Sequence, residues 1–203
     1  ERCLDAFYVS SGVNRLYVSG FASSDGVVLI TPQHQYFFTD SRYIEAAGRA
    51  LPDFRVERTD AENTYNRLIM RAIEAEDIKS LAFEEKSVSY SDHQTLSGAL
   101  PVVLQGAQSI LTDLRAVKSE TEIEKMIRAQ RIAEEAFENT LGVIRPGMTE
   151  KEVAAELIYS MLKLGADGLS FDPIVVGGAR SSMPHGVPTD AEIKTGTFLT
   201  MDF

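Results

Sequence analysis

The fold is most clearly indicated by the stretch Thr197-Phe198-Leu199-Thr200-Met201-Asp202-Phe203, an apolar run with one carboxylate near its end. Gly196 precedes the run, and β-branched and aromatic residues fill it, a composition that predicts a β-strand. A carboxylate in such a strand is costly to bury unless a cation, either a side chain or a metal ion, pairs with it. Asp202 is therefore a candidate metal ligand. From the residues alone, it can also be a strand-end aspartate that caps a turn or pairs with a lysine.

A second candidate residue is His185, in the stretch Met183-Pro184-His185-Gly186 that precedes the strand. The proline and glycine predict a constrained, exposed turn that can lean over the same site as Asp202. A neutral imidazole can donate or accept a hydrogen bond near pH 7 and can shuttle a proton. A solvated loop histidine is the alternative interpretation. His34 and His93 have no carboxylate or cysteine at ligand spacing, and both are interpreted as surface residues.

The composition limits the classes of protein to consider. Of the 203 residues, 44% are apolar, which is enough for one globular domain or two smaller ones. The formal net charge is −10 and no basic tract stands out, so neither nucleic acid nor a membrane surface is an expected partner. The single cysteine, Cys3, excludes an internal disulfide framework and agrees with a reducing, cytoplasmic location. No apolar run reaches the roughly 18 residues of a transmembrane helix.

The first half of the chain alternates between short strand patterns and helical patterns. Apolar residues recur at helical spacing from Tyr65 onward and predict an amphipathic helix. Strands interleaved with helices indicate the α/β class. The predicted strands in this half cover residues 4–9, 16–18, 26–30, 35–39, 80–83 and 102–104.

Two capping boxes mark helix starts in the second half. The motifs Ser119-x-x-Glu122 and Thr149-x-x-Glu152 each satisfy two backbone N–H groups at a helix start. An apolar stripe follows each motif, and Gly165 suits the left-handed position after the second helix. The change of pattern near the first box predicts two domains, residues 1–113 and 114–203.

Several short motifs follow one another in a specific order along the chain. They are residues 18–26 and 38–43, Leu114-Arg115-x-x-Lys118-Ser119-x-x-Glu122-Ile123, Arg145-Pro146-Gly147-Met148-Thr149-Glu150, Phe171-Asp172-Pro173-Ile174-Val175, Pro184-His185-Gly186 and Met201-Asp202-Phe203. Together they resemble the M24 metallopeptidase family of aminopeptidase P, prolidase and creatinase. The resemblance implies an α/β fold in which a small creatinase-type N-terminal domain with a mixed sheet precedes the first part of an α+β pita-bread domain.

The resemblance also implies a role for each candidate residue. Asp202 corresponds to the first of five ligands, two Asp, one His and two Glu, which hold two divalent ions (Mn, Co or Zn) around a water that attacks the scissile carbonyl. His185 corresponds to the family histidine that hydrogen-bonds the substrate and the developing oxyanion, and it is not a metal ligand. The other four ligands would lie beyond Phe203, so we expect this chain to be part of a longer protein.

The implied function is a cytoplasmic, metal-dependent Xaa-Pro peptidase of the aminopeptidase P or prolidase type. Short proline-containing peptides are the expected substrates, a homodimer is the expected assembly, and the 203-residue chain alone is expected to be inactive. Pro184 favours this branch over the methionine aminopeptidases. Two alternatives stay open: a creatinase-like C–N hydrolase that needs no metal, with His185 as its acid and base, and a non-catalytic protein that binds peptides or proteins.

Overall fold

Two compact units make up the part of the chain that the structure describes. The computed structural model describes residues 4–107 and 109–203, and Cys3 lies outside that part. The units are Glu1–Val117 and Lys118–Phe203. The domain boundary that the sequence predicts, between residues 113 and 114, falls inside a helix of the first unit, Ile110–Ala116.

A six-stranded mixed sheet forms the centre of the first unit. Its strands are β1 (Ala6–Val9), β2 (Val27–Ile30), β3 (Gln35–Thr39), β4 (Arg55–Arg58), β5 (Ser80–Phe83) and β6 (Val103–Gly106). They lie in the order β4-β3-β2-β1-β5-β6, with antiparallel pairing only at β1–β2 and β2–β3. The helices of this unit are α1 (Gly12–Ser19), α2 (Ile44–Ala50), α3 (Tyr65–Ala75), α4 (Tyr90–Ala99) and α5 (Ile110–Ala116).

Successive side chains of a strand point to opposite faces of the sheet. Each face of this sheet carries its own cluster of buried apolar residues. Phe37 packs on one side with Val9 and Val28, whereas its neighbour Phe38 packs on the other side with Leu29. The amphipathic helix predicted from Tyr65 is α3, which contributes four buried apolar residues to the cluster that contains Phe38 and Leu29. The strands therefore alternate between two hydrophobic cores.

One predicted strand of the first unit is wrong. Residues 16–18 lie in helix α1, not in a strand. The helix is specified at its ends: Ser11 caps its start, and Gly20 ends it in the left-handed conformation at φ 73°. The carboxylate of Glu84, at the end of β5, also accepts hydrogen bonds from the Ser11 amide at 2.9 Å and the Asn14 side chain at 2.5 Å. A residue far along the chain thus holds the first turn, which a local strand pattern does not reveal.

The second unit combines two helices with a β-hairpin. Its elements are α6 (Glu120–Leu141), α7 (Glu150–Lys163), β7 (Ile174–Gly177), a 3₁₀ turn (Gly178–Ser182) and β8 (Leu199–Asp202). Both predicted capping boxes are present with their two reciprocal hydrogen bonds. Gly165 follows α7 at φ 97°, as predicted for a helix end.

Helix α7 packs on the hairpin and positions it. Val153 and Ala154 of the helix form a buried cluster with Val175 of β7 and with Ile193. Strands β7 and β8 pair antiparallel, with Val175 opposite Met201. The strand predicted at the end of the chain is confirmed as β8. In the described ranges, 4–107 and 109–203, we find no helix with the length and apolarity that crossing a bilayer requires.

Candidate functional site

Asp202 lies at the end of β8, opposite Ile174 of β7, and is exposed. A carboxylate at this place offers the oxygen ligands that hard and borderline divalent ions prefer. Among residues 4–107 and 109–203, however, no cluster of three or more His, Cys, Asp or Glu side chains could hold a metal ion. Asp202 fits a metal as one ligand, and the described residues do not complete a site around it.

His185 occupies a tight turn that starts at Met183. The Gly186 amide donates to the Met183 carbonyl at 3.2 Å, which closes the turn and places Pro184 and His185 at its two central positions. Proline suits the first of these positions because its ring fixes φ near the required value. His185 is exposed at the top of this turn, where its imidazole is accessible to a ligand.

A close contact fixes this turn on the hairpin. Gly186 is buried, and a Cβ atom at this position would lie 2.7 Å from Cγ1 of Val176. Only glycine permits so close an approach of the turn to β7. On the neighbouring strand, the Thr200 hydroxyl donates to the Ser181 carbonyl at 3.1 Å. The segment that carries His185 is thus attached to both strands of the hairpin that carries Asp202.

A buried carboxylate, that of Glu150, lies beneath the same segment. Glu150 is the first residue of α7 and is 1% exposed. Its Oε1 accepts hydrogen bonds from the Gly177 amide at 2.9 Å and from Nε of Arg180 at 3.2 Å. Its Oε2 accepts from the amide and the hydroxyl of Thr189, at 2.9 and 2.7 Å. One side chain therefore joins residues on both sides of the His185 turn.

Glu150 is ionised in this environment. Burial alone raises the pKa of its carboxyl, but the hydrogen bonds from Gly177, Thr189 and Arg180 outweigh that effect and hold the pKa below its ordinary value. An ionised carboxylate is an acceptor only, which matches the four donors that surround it. The positive end of the α7 dipole favours the same charge state.

No local sequence signal distinguishes Glu150 or Arg180 as a site residue. An acidic residue in the first turn of a helix is ordinarily explained by the helix dipole, and Glu150 also belongs to the motif Arg145-Pro146-Gly147-Met148-Thr149-Glu150. The pairing becomes visible when Gly177, Arg180 and Thr189 are brought to α7 by the fold.

The other two histidines lie in the first unit. His34 is more than a surface residue: its Nδ1 lies 2.8 Å from Oε1 of Glu76, and a guanidinium nitrogen of Arg55 lies 2.5 Å from its Nε2. Arginine can only donate, so Nε2 is the acceptor of the contact with Arg55. The His93 ring packs on Phe83 with 5.0 Å between ring centres.

Comparisons with known proteins support both units. Residues 1–117 match the model of the creatinase/prolidase N-terminal domain, and residues 124–203 match metallopeptidase family M24. The chain is 35% identical over 202 residues to the uncharacterized peptidase YqhT of Bacillus subtilis and 29% identical over 204 residues to a Xaa-Pro dipeptidase of Pyrococcus horikoshii. The first match covers 98% of this chain and the second covers all of it, but each covers 56% of the relative.

Solved structures give the same picture. An X-Pro aminopeptidase from Thermotoga maritima superposes with a TM-score of 0.91 at 36% identity, over 98% of this chain and 58% of that one. A Xaa-Pro dipeptidase from Bacillus anthracis gives a TM-score of 0.90 at 33% identity, over 98% and 56%. The chain thus spans a little over half the length of the relatives it matches. These matches confirm the predicted resemblance and fold class.

We expect the substitution Gly186→Ala to destabilise the second unit by about 1–3 kcal/mol, since the new methyl group has no room against Val176. Urea unfolding followed by circular dichroism measures the change. The same substitution in a Val176→Ala background should cost less, because the clashing atom is gone. Gly168→Ala is the control, since a Cβ there meets no atom within 4 Å. An equal cost of Gly186→Ala in both backgrounds would show that the turn does not rest on Val176.

Proposed function

The chain belongs to the creatinase/prolidase family, with a creatinase-type N-terminal domain followed by a metallopeptidase family M24 domain, and we propose that the protein hydrolyses Xaa-Pro bonds of short peptides. The observation that carries this proposal is the hairpin β7–β8, which holds an exposed carboxylate on β8 and an exposed imidazole in a turn packed on β7. Relatives with this fold are named Xaa-Pro dipeptidase and X-Pro aminopeptidase.

Asp202 has the proposed role of a metal ligand. Its exposure at a strand end leaves the carboxylate oxygens free to bind an ion without a burial cost. Divalent ions, when bound, polarise a carbonyl group and make a neighbouring water more acidic. One carboxylate supplies too few ligands for a pair of ions, so the remaining ligands have to come from other residues. Two Mn, Co or Zn ions remain the proposed cofactor.

His185 has the proposed role of a hydrogen-bond donor to the substrate. During attack on a peptide bond, negative charge develops on the carbonyl oxygen, and a positioned N–H group stabilises that charge. The turn presents the imidazole outward while Gly186 and Val176 hold its backbone in place. A fixed donor costs less to orient in the transition state than a mobile one.

The remaining features of the proposal follow from the family. Aminopeptidase P and prolidase activities differ in the length of the peptide they accept, and both are compatible with this hairpin. A homodimer and a cytoplasmic location remain predictions. The creatinase-like reaction and the non-catalytic binding role are outcomes of the tests below.

Hydrolysis of an Xaa-Pro dipeptide or of a longer Xaa-Pro peptide should require a divalent metal in a form of the protein as long as its relatives. Dialysis against a chelator should abolish turnover, and added Mn²⁺, Co²⁺ or Zn²⁺ should restore it, because the proposed reaction needs a metal-activated water. Release of proline or of the N-terminal residue measures the rate. Full turnover by the chelated protein would favour the creatinase-like reaction, and no turnover with any metal would favour a binding role.

The 203-residue chain alone should bind no pair of divalent ions tightly, because Asp202 supplies at most two oxygen ligands. Calorimetric titration with Mn²⁺, Co²⁺ or Zn²⁺ should give no stoichiometric high-affinity isotherm, and the chain should not hydrolyse an Xaa-Pro peptide. Two tight sites in that titration would contradict the assignment and indicate other ligands, such as His34 or His93.

His185→Ala and Asp202→Ala should separate the two roles in the longer form of the protein. His185→Ala should lower kcat by about 10²- to 10³-fold, as expected for the loss of one oxyanion donor, and leave the metal content unchanged. Asp202→Ala should lose metal and activity together, because it removes a ligand. Elemental analysis and steady-state kinetics measure both effects. A wild-type kcat, or loss of metal, in His185→Ala would contradict the role given to this histidine.

A further inference from the structure

The segment that carries His185 is tied at both ends to the same carboxylate. It leaves β7 at Gly177 and returns to α7 at Thr189, and both residues donate their backbone N–H groups to Glu150, at 2.9 Å each. The chain between them contains the 3₁₀ turn and the His185 turn. Glu150 thus closes an irregular segment into a loop of fixed span.

Arg180 links Glu150 to the part of the loop that follows His185. Its Nε donates to Glu150 at 3.2 Å, and one of its terminal nitrogens donates to the Val187 carbonyl at 2.7 Å. The Arg180 side chain is 34% exposed, whereas that of Glu150 is 1% exposed, so the carboxylate is the buried partner. Val187 follows the His185 turn by one residue. The guanidinium therefore transmits the position of Glu150 to the backbone beside His185.

We propose that Glu150 is the positioning residue for His185, an inference that rests on the proposed function of that histidine. With Gly177 and Thr189 held by Glu150, and with Gly186 packed on Val176, the turn has one place on the hairpin. Loss of the carboxylate removes the four hydrogen bonds that join Gly177, Arg180 and Thr189. The restraints that remain are the packing of Gly186 on Val176, the hydrogen bond from Thr200 to the Ser181 carbonyl, and one backbone hydrogen bond near each end of the loop, from Gly178 to Phe198 and from Lys151 to Thr189. The imidazole then samples a wider range of positions, and its contact with a substrate carbonyl is made less often.

The charge of Glu150 is essential to this role because every neighbour is a donor. Glutamine has the same shape but one acceptor oxygen, and its NH₂ group would face either the donors of Thr189 or those of Gly177 and Arg180. A donor placed against a buried donor costs the hydrogen bond and leaves the buried group unsatisfied. Glu150→Gln therefore disrupts the hydrogen bonds that hold Gly177, Arg180 and Thr189, here called the Glu150 clamp, with little change of side-chain volume.

The experiment measures backbone mobility in the 203-residue chain by ¹⁵N relaxation. In the wild type, order parameters of Met183, His185 and Gly186 should be near the value of about 0.85 found in rigid backbone, and in Glu150→Gln they should fall below about 0.6. Order parameters of α7 should stay unchanged. Glu156→Gln is the matched control, since Glu156 is an exposed glutamate on the same helix and the change of charge is identical.

Two results would overturn the inference. One is a Glu150→Gln chain whose His185 turn stays as rigid as in the wild type. The other is an equal loss of order in α7 and in the turn, which would mean that Glu150 has only a general structural role. If Glu150→Gln does not fold, Thr189→Val removes the hydroxyl donor at one end of the loop and should lower the same order parameters by a smaller amount.

Kinetics in the longer form of the protein connect the Glu150 clamp to the reaction. Glu150→Gln should lower kcat by up to about 100-fold, the effect of a small misplacement of a catalytic group, with the metal content unchanged. Glu150→Asp keeps the charge and should recover part of the loss. A mobile turn with wild-type kcat would refute the positioning role. If the wild type itself shows no Xaa-Pro hydrolysis, the proposed function fails, whereas the order parameters still decide whether Glu150 holds the turn.

Discussion

The second unit is arranged around one buried carboxylate, that of Glu150, which has to be hydrogen-bonded to be stable. Glu150 enters the interior at the start of α7, and an ionised group in that position is stable only when donors surround it. Gly177, Arg180 and Thr189 supply those donors. Since they come from the end of β7, the 3₁₀ turn and the returning chain, satisfying the charge also determines the path of the segment between the two strands.

The first unit also contains a buried carboxylate that joins distant segments, and there it holds the start of a helix. Glu84, at the end of β5, is 7% exposed and accepts hydrogen bonds from the amides of Ser10 and Ser11 and the side chain of Asn14. These contacts span about 70 residues of sequence and hold the start of α1 against the sheet. In both units, one buried acid joins segments that are distant in sequence.

Much of the fold could be predicted because residues close together in sequence determine many of its strands and helix starts. The aromatic run Tyr36-Phe37-Phe38 indicates β3, and the capping boxes at Ser119 and Thr149 give the start of α6 and α7. Strand β4 escaped prediction because its sequence, Arg55-Val56-Glu57-Arg58, is mostly charged, as suits a strand at the sheet edge. Residues 16–18 resemble a strand locally but lie in α1, whose first turn is held by Glu84, about 70 residues further along the chain.

The candidate site divides in the same way. Residue type and neighbours predict Asp202 and His185 as site residues, since a carboxylate in an apolar strand and a histidine between proline and glycine are local signals. Glu150 was not found, because its meaning lies in the donors of Gly177 and Thr189, which are 27 and 39 residues away. The interaction of His34 with Glu76, across 42 residues, was missed for the same reason.

A crystal structure of a form as long as its relatives, with Zn²⁺ and an Xaa-Pro dipeptide bound, tests the roles of Asp202 and His185 together. We expect an Asp202 oxygen about 2.0–2.2 Å from a metal ion. We also expect a nitrogen of His185 at hydrogen-bond distance, about 2.7–3.2 Å, from the carbonyl oxygen of the peptide, with the turn still packed on Val176 and Glu150 still bonded to Gly177 and Thr189. A His185 side chain that binds the metal, or that points away from the dipeptide, would contradict these roles.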